Sequence, residues 1–196
     1  MSIDIALIQK IRKQTGAGLA DVKNALEVAN GDEAAALEEL RKKGAKNAAK
    51  RADRETNEGL VHAYIHGNGQ IGAIIALGCE TDFVARNDQF KDLANDIALH
   101  IVASMPEYVF SDQIPADIVA AKKEELSAEL KEEGKPENMI EQIVEGKMNK
   151  WFEEVCLLNQ KYVKDDSMTI QDLLTEKIGT IGEKIEVLGF SLQSVK

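Results

Sequence analysis

A chain of 196 residues, 44% hydrophobic and 30% charged, has room for one ordinary domain or a small one joined to a medium one, and is too apolar to be disordered. The formal net charge of −10 argues against a protein that coats nucleic acid, which needs Lys and Arg in excess to neutralise phosphates; a local basic patch stays open. No segment approaches the roughly 18 unbroken apolar residues of a membrane helix, the N-terminal MSIDIALIQKIRKQTG lacks the regions of a signal peptide, and Cys79 and Cys156 stand in apolar surroundings without CxxC spacing. Buried thiols in a soluble cytoplasmic protein are the expectation.

Residues 1–44 read as three short helices in one compact module. Ser2 caps the first, with Ile5, Ile8 and Ile11 and neighbouring Leu7 as its apolar stripe. The segment 15-TGAG-18 breaks it, because glycine tolerates backbone angles that a helix cannot use. Leu19, Val22, Ala25, Leu26 and Ala29 then recur at helical spacing up to 30-NG-31. Asp32 caps a third helix that carries Leu37 and Leu40 and closes at Gly44. Residues 45–56 are the expected helical linker. The stretch 41–54 holds seven basic residues against one acid, Asp53. It suits either a contact with phosphates or a solvated linker, and the lack of interleaved aromatics for base stacking favours the linker.

From Leu60 the period changes. The segments 60-LVHAYIH-66 and 71-IGAIIAL-77 are β-like, and 67-GNGQ-70 between them carries an Asn-Gly hairpin signal. Asn87 caps a helix with Phe90, Leu93, Ala94, Ile97 and Ile101 on one face, ended by Met105-Pro106. Residues 116–133 and 136–155 form a helical hairpin (116–155) joined at Gly134-Lys135-Pro136, and its first helix is charged enough to project. A last helix spans 169–178, and 184–192 returns as a strand. The architecture is α+β: a three-helix module, then a core over 57–196 whose small antiparallel sheet (60–77 and 184–192) is packed with helices.

Signals for covalent chemistry fail one by one. Residues 67-GNGQIG-72 match G-x-G-x-x-G, but that motif binds a dinucleotide only between a strand and a helix, and here a strand follows. His62 and His66 stand four apart, which on a strand is roughly 13 Å, too far to share a metal. His100, opposite the apolar stripe, reads as a surface or half-buried residue. No nucleophile and base are paired. No enzyme, metal or cofactor is called for.

The stretch 78-GCETDFVARND-88 is different. A single large aromatic, Phe83, follows an acid at the corner between a strand and a helix. It either plugs the core or is presented to a partner, since a rigid aromatic beside an acid is also the make-up of an interface hot spot. Sequence physics leaves both open.

The segments 15-TGAGLADVKNALEVANGD-32, 58-EGLVHAYIH-66, 79-CETDFVARNDQF-90 and 162-YVKDD-166, in this order and separation, resemble the bacterial elongation factor Ts family in its short form. The resemblance runs from end to end. It implies a nucleotide exchange factor for the GDP-bound GTPase elongation factor Tu, with no covalent chemistry and no cofactor of its own. It implies that the N-terminal module is of ubiquitin-associated type and docks the GTPase through Gly16, Gly18, Leu19, Val22 and Lys23. It implies that Thr81, Asp82, Phe83 and Val84 disturb the partner's Mg²⁺ site, with Phe83 wedged between partner side chains. Together with the aliphatic run 71-IGAIIALGC-79, it also implies a homodimer, with no membrane and no direct nucleic-acid contact. Two other classes compete: a ubiquitin-associated-type binding module without exchange activity, and an RNA-binding protein acting through 41–54.

Overall fold

Three helices open the chain in the computed structural model, which describes residues 4–195. Ser2 lies outside the described residues. Asp4 caps α1 (Ile5–Thr15), its carboxylate accepting the Ala6 N–H at 2.9 Å. Gly16, at φ 70°, ends α1 in the left-handed conformation that glycine adopts without a Cβ penalty, and its N–H reaches the Arg12 carbonyl. Gly18 sits at φ −61°, so its position needs no glycine for backbone reasons; it is the side-chain-free N-cap of α2 (Leu19–Val28). Asp32 caps α3 (Glu33–Ala49) through the Ala35 N–H at 2.7 Å. Ile8, Ile11, Val22, Ala25, Leu26 and Ala36 form the buried core of this module.

The helix α3 does not stop at Gly44. It runs on to Ala49 through the Ala-rich part of the basic segment, so the first residues of the expected linker, 45–49, are the end of this helix. Gly44 is buried because it is a crossing point: a methyl group on Gly179 would lie 2.8 Å from the Gly44 Cα. Glycine here allows two helix backbones to touch and does not break a helix. Gly179→Ala should therefore destabilise the protein by about 1–3 kcal/mol, the usual cost of overpacking a rigid contact. Equilibrium denaturation with urea checks this, and an unchanged midpoint would show that the crossing has slack.

The hairpin follows as expected: β1 (Glu58–His66) and β2 (Ile71–Cys79) flank a turn in which Gly67 and Gly69 both take positive φ. A four-residue helix α4 (Asp82–Ala85) leads into α5 (Asp88–Ser104). Asn87 stands at the start of α5, its Oδ1 accepting the Gln89 N–H at 2.8 Å, and Phe90, Leu93, Ala94, Ile97 and Ile101 are all buried. The helical hairpin is α6 (Ala116–Glu132) and α7 (Glu137–Val155). Two short strands, β3 (Lys161–Tyr162) and β4 (Asp165–Thr169), then pair antiparallel; neither is long enough to leave a periodic trace in the sequence. Helix α8 (Ile170–Ile181) and β5 (Ile185–Ser194) close the chain. The main sheet has the order β1-β2-β5, which confirms an α+β fold with a small sheet behind N-terminal helices.

The chain divides into two compact units: Met1–His62, Ile75–Asn95 and Asp172–Leu188 in one, and Ala63–Ile74, Asp96–Gln171 and Gly189–Lys196 in the other. In the second unit, His100 departs from the sequence expectation. It is fully buried, with Nδ1 accepting the Val163 N–H at 3.2 Å and Nε2 3.0 Å from Gln160 Oε1. That pattern requires the neutral tautomer protonated on Nε2, and burial lowers its pKa from the ordinary imidazole value. Gln160 is tied in turn to the Glu154 carbonyl at 2.7 Å, and Tyr162 donates to Asp96 at 3.0 Å. The Tyr162 phenol is pushed far up, first by burial and then by Asp96. This polar network secures the β3–β4 turn to α5, a structural use that accounts for the histidine.

Candidate partner-binding site

The strand β2 ends at buried Cys79, and the chain must then turn into α4 without a ladder to hold it. Thr81 supplies the N-cap: its backbone is extended at φ −131°, and its hydroxyl oxygen accepts the Val84 N–H at 3.4 Å. The turn is held from outside by the segment between α8 and β5. Glu183 Oε2 accepts the Glu80 and Thr81 N–H groups at 3.1 and 3.0 Å, and its Oε1 accepts the Thr81 hydroxyl at 2.7 Å. Glu80 answers by accepting the Lys184 N–H at 2.6 Å and the Arg54 guanidinium at 2.8 Å. Partial burial pushes the Glu80 carboxyl up, but these donors outweigh it and hold it below its ordinary value. The Cys79 thiol is pushed up, first by burial and then by Glu183, and it donates to the Thr81 carbonyl at 3.2 Å. Both cysteines are free and buried, as expected.

On this frame Phe83 is 80% exposed. The plug reading is thereby excluded: the residue that fills the core is Phe90, with no exposure at all. Asp82, beside Phe83, pairs with Arg86 one turn later at 3.0 Å on the surface, a kind of pair worth about 0–1 kcal/mol and easily given up. Thr81 and Val84 are half-buried and shape the turn. The four residues thus have separate stations: a cap, a loosely held acid, a presented ring and a half-buried anchor.

The N-terminal set divides similarly. Gly16, Gly18, Leu19 and Lys23 are exposed around the α1–α2 turn, and Leu19 is 46% exposed although it starts the apolar stripe of its helix. Val22 has no exposed surface; it belongs to the module's core and supports the turn from inside. His62 and His66 do not meet: His62 lies against Asn95 at 3.3 Å, and His66 against the Tyr64 hydroxyl at 2.9 Å. In the basic segment, Lys42 pairs with Glu39, Lys43 with Asp21 and Arg54 with Glu80, while Arg51 donates to the Asn47 carbonyl. Those four cations are committed within the chain. Sequence reasoning missed Glu183, since nothing local marks a glutamate whose partners lie 102 and 103 residues away.

Comparison with known proteins gives the family. The family model described as Elongation factor TS matches residues 5–192. The chain belongs to the elongation factor Ts family. It is 48% identical over 190 residues to elongation factor Ts of Fervidobacterium nodosum, covering 97% of this chain and 96% of that protein. It is 50% identical over 184 residues to elongation factor Ts of Carboxydothermus hydrogenoformans, covering 94% and 85% respectively. With elongation factor Ts of Thermotoga maritima it shares 49% identity over 191 residues, covering 97% and 95%. Membership of the elongation factor Ts family places the chain in translation elongation. Among the described residues no helix is long and apolar enough to cross a membrane.

Proposed function

We infer that this chain is the guanine nucleotide exchange factor for elongation factor Tu, working in the cytoplasm on the GDP-bound GTPase and releasing GDP by disturbing the partner's Mg²⁺ site. One observation carries the reading: an aromatic side chain, Phe83, held out in water on a turn locked by four hydrogen bonds from the Glu183–Lys184 segment. A protein exposes a large ring at the cost of about 1.5–3 kcal/mol of burial energy, which a pocket on a partner recovers. That sum is comparable with the ~1–3 kcal/mol of ordinary allosteric coupling. The ring wedges into the partner while Asp82, freed from its surface pair with Arg86, draws on groups around the metal. Displacing Mg²⁺ removes a bridge between phosphate oxygens and protein, so the nucleotide is held less tightly. The factor acts by binding alone. Linkage is reciprocal, so GDP weakens the factor's own binding by the same ratio. Release of labelled GDP from elongation factor Tu, with and without this protein, tests the reading directly.

The exposed α1–α2 turn is the docking surface in this scheme. Leu19→Ala and Lys23→Glu should each weaken complex formation by about five- to thirtyfold, as interface anchors do. The exchange rate at saturation should hardly move, because this surface grips the GTPase away from its metal. Calorimetric titration of the variants provides the check, and affinities equal to wild type would remove the module from the interface.

Assembly is the remaining part. Strand β2 turns Ala73, Ile75, Leu77 and Cys79 inward, yet Ile74 on its other side is 51% exposed. Val61 and Ile65 of β1 and Leu188 of β5 are likewise more than half exposed. A second copy related by a two-fold axis would cover such residues with their own counterparts. Sedimentation equilibrium under reducing conditions should give twice the monomer mass of 21.5 kDa; a clean monomer at micromolar concentration would sink the dimer.

A further inference from the structure

We propose that Glu183 is a positioning residue for nucleotide exchange: its carboxylate fixes the Thr81 corner so that Phe83 meets the partner in one preset direction. The proposal rests on the exchange reading above and adds to it a residue outside the 81–84 segment. The need for such a residue follows from the local structure. Helix α4 has only four residues, far too few to hold itself together in water. The Phe83 ring is 80% exposed, so it gains almost no packing that would fix the turn beneath it. Beyond Cys79 the strand has ended, and the N–H groups of Glu80 and Thr81 both go to the Glu183 carboxylate.

Glu183 is delivered by the end of α8. Gly182, at φ 90°, donates its N–H to the Ile178 carbonyl and turns the chain sharply out of the helix. Both carboxylate oxygens are then spent on the turn: Oε2 on two backbone N–H groups and Oε1 on the Thr81 hydroxyl. With its oxygens engaged inside the chain, Glu183 acts through the turn and not by touching the partner's nucleotide. The Lys184 N–H bond to Glu80 makes the clasp reciprocal, two consecutive residues against two. Charge-assisted bonds of this kind are the stronger class and set direction as well as distance. A turn already ordered before binding delivers its ring without an ordering cost at the moment of contact.

The experiment measures release of labelled GDP from elongation factor Tu at rising factor concentration, with hydrogen exchange of residues 80–86 in the free factor beside it. Glu183→Ala should lower the saturating rate by at least about tenfold, leave the half-saturating concentration within about twofold, and speed exchange of the 80–86 amides. Glu183→Gln should recover most of the loss, because its amide oxygen still accepts both N–H groups and its NH₂ can donate to Thr81 Oγ1. Glu183→Asp keeps the charge but withdraws it by one methylene, and should fall with the alanine variant; it decides the matter if the alanine variant does not fold. The proposal is overturned if the saturating rates stay at the wild-type level, if the loss appears only in half-saturation, or if glutamine is as damaging as alanine. Should the wild-type factor release no GDP, the exchange reading fails, while the amide exchange of the same variants still decides whether Glu183 holds the turn.

Discussion

Phe83→Ala should lower the saturating rate of GDP release by about ten- to a hundredfold, the range given by the burial energy of one phenylalanine ring. The same variant should unfold within about 0.5 kcal/mol of wild type, since a ring that is 80% exposed contributes little to the free protein. The combination is what gives the result its force. A residue that matters to a partner and not to its own fold must exert its effect across an interface. Stopped-flow release of labelled GDP reads the first quantity and urea denaturation the second. A loss of several kcal/mol in stability would mean that the ring is buried in solution, and the wedge would have to be given up.

Phe90→Ala should show the opposite profile. The side chain is completely buried at the first turn of α5, so its truncation should cost about 3–5 kcal/mol, transfer energy and cavity together. For a chain of this size that lowers the melting temperature by roughly 6–20 °C. At a temperature where the variant stays folded, exchange per folded molecule should remain close to wild type, because Phe90 presents nothing to a partner. Calorimetric unfolding and the same release assay settle both points. Two phenylalanines seven residues apart would then be separated into one that binds and one that folds.

That pair also shows where sequence reading stops. Helical periodicity placed Phe90, Leu93 and Ile97 on the buried face of α5, and the Asn-Gly turn placed the β1–β2 hairpin, because both signals are carried by neighbours in the chain. Periodicity could not assign Phe83, since α4 ends at Ala85 before a second turn reveals its inward side. Gly44 was misleading for a related reason: glycine looks the same at a helix end and at a close crossing, and the difference is Gly179, far along the chain. His100 lies at the edge of the buried face of α5, seven residues after Leu93, so its burial could be read from the spacing, but its partners, the Val163 N–H and Gln160, could not. The interactions that frame the presented ring, from Glu183, Lys184 and Arg54, join segments widely separated in sequence. What periodicity reads is the apolar side of single elements, whereas a site is made where distant elements meet.

Holding an apolar ring out in water has a consequence for the protein in bulk. Each free copy carries a mildly adhesive spot, and at high concentration such spots find one another unless something keeps the molecules apart. The chain's net charge of −10 provides that separation, since the repulsion between like-charged molecules outweighs what a single exposed ring gains by a chance contact. The acidity that disfavours a nucleic-acid coat therefore also acts as colloidal protection, letting a sticky contact residue remain exposed without self-association through it. Salt screens this repulsion over a distance of about 10 Å at 0.1 M, so the protection belongs to dilute electrolyte and fades as ionic strength rises.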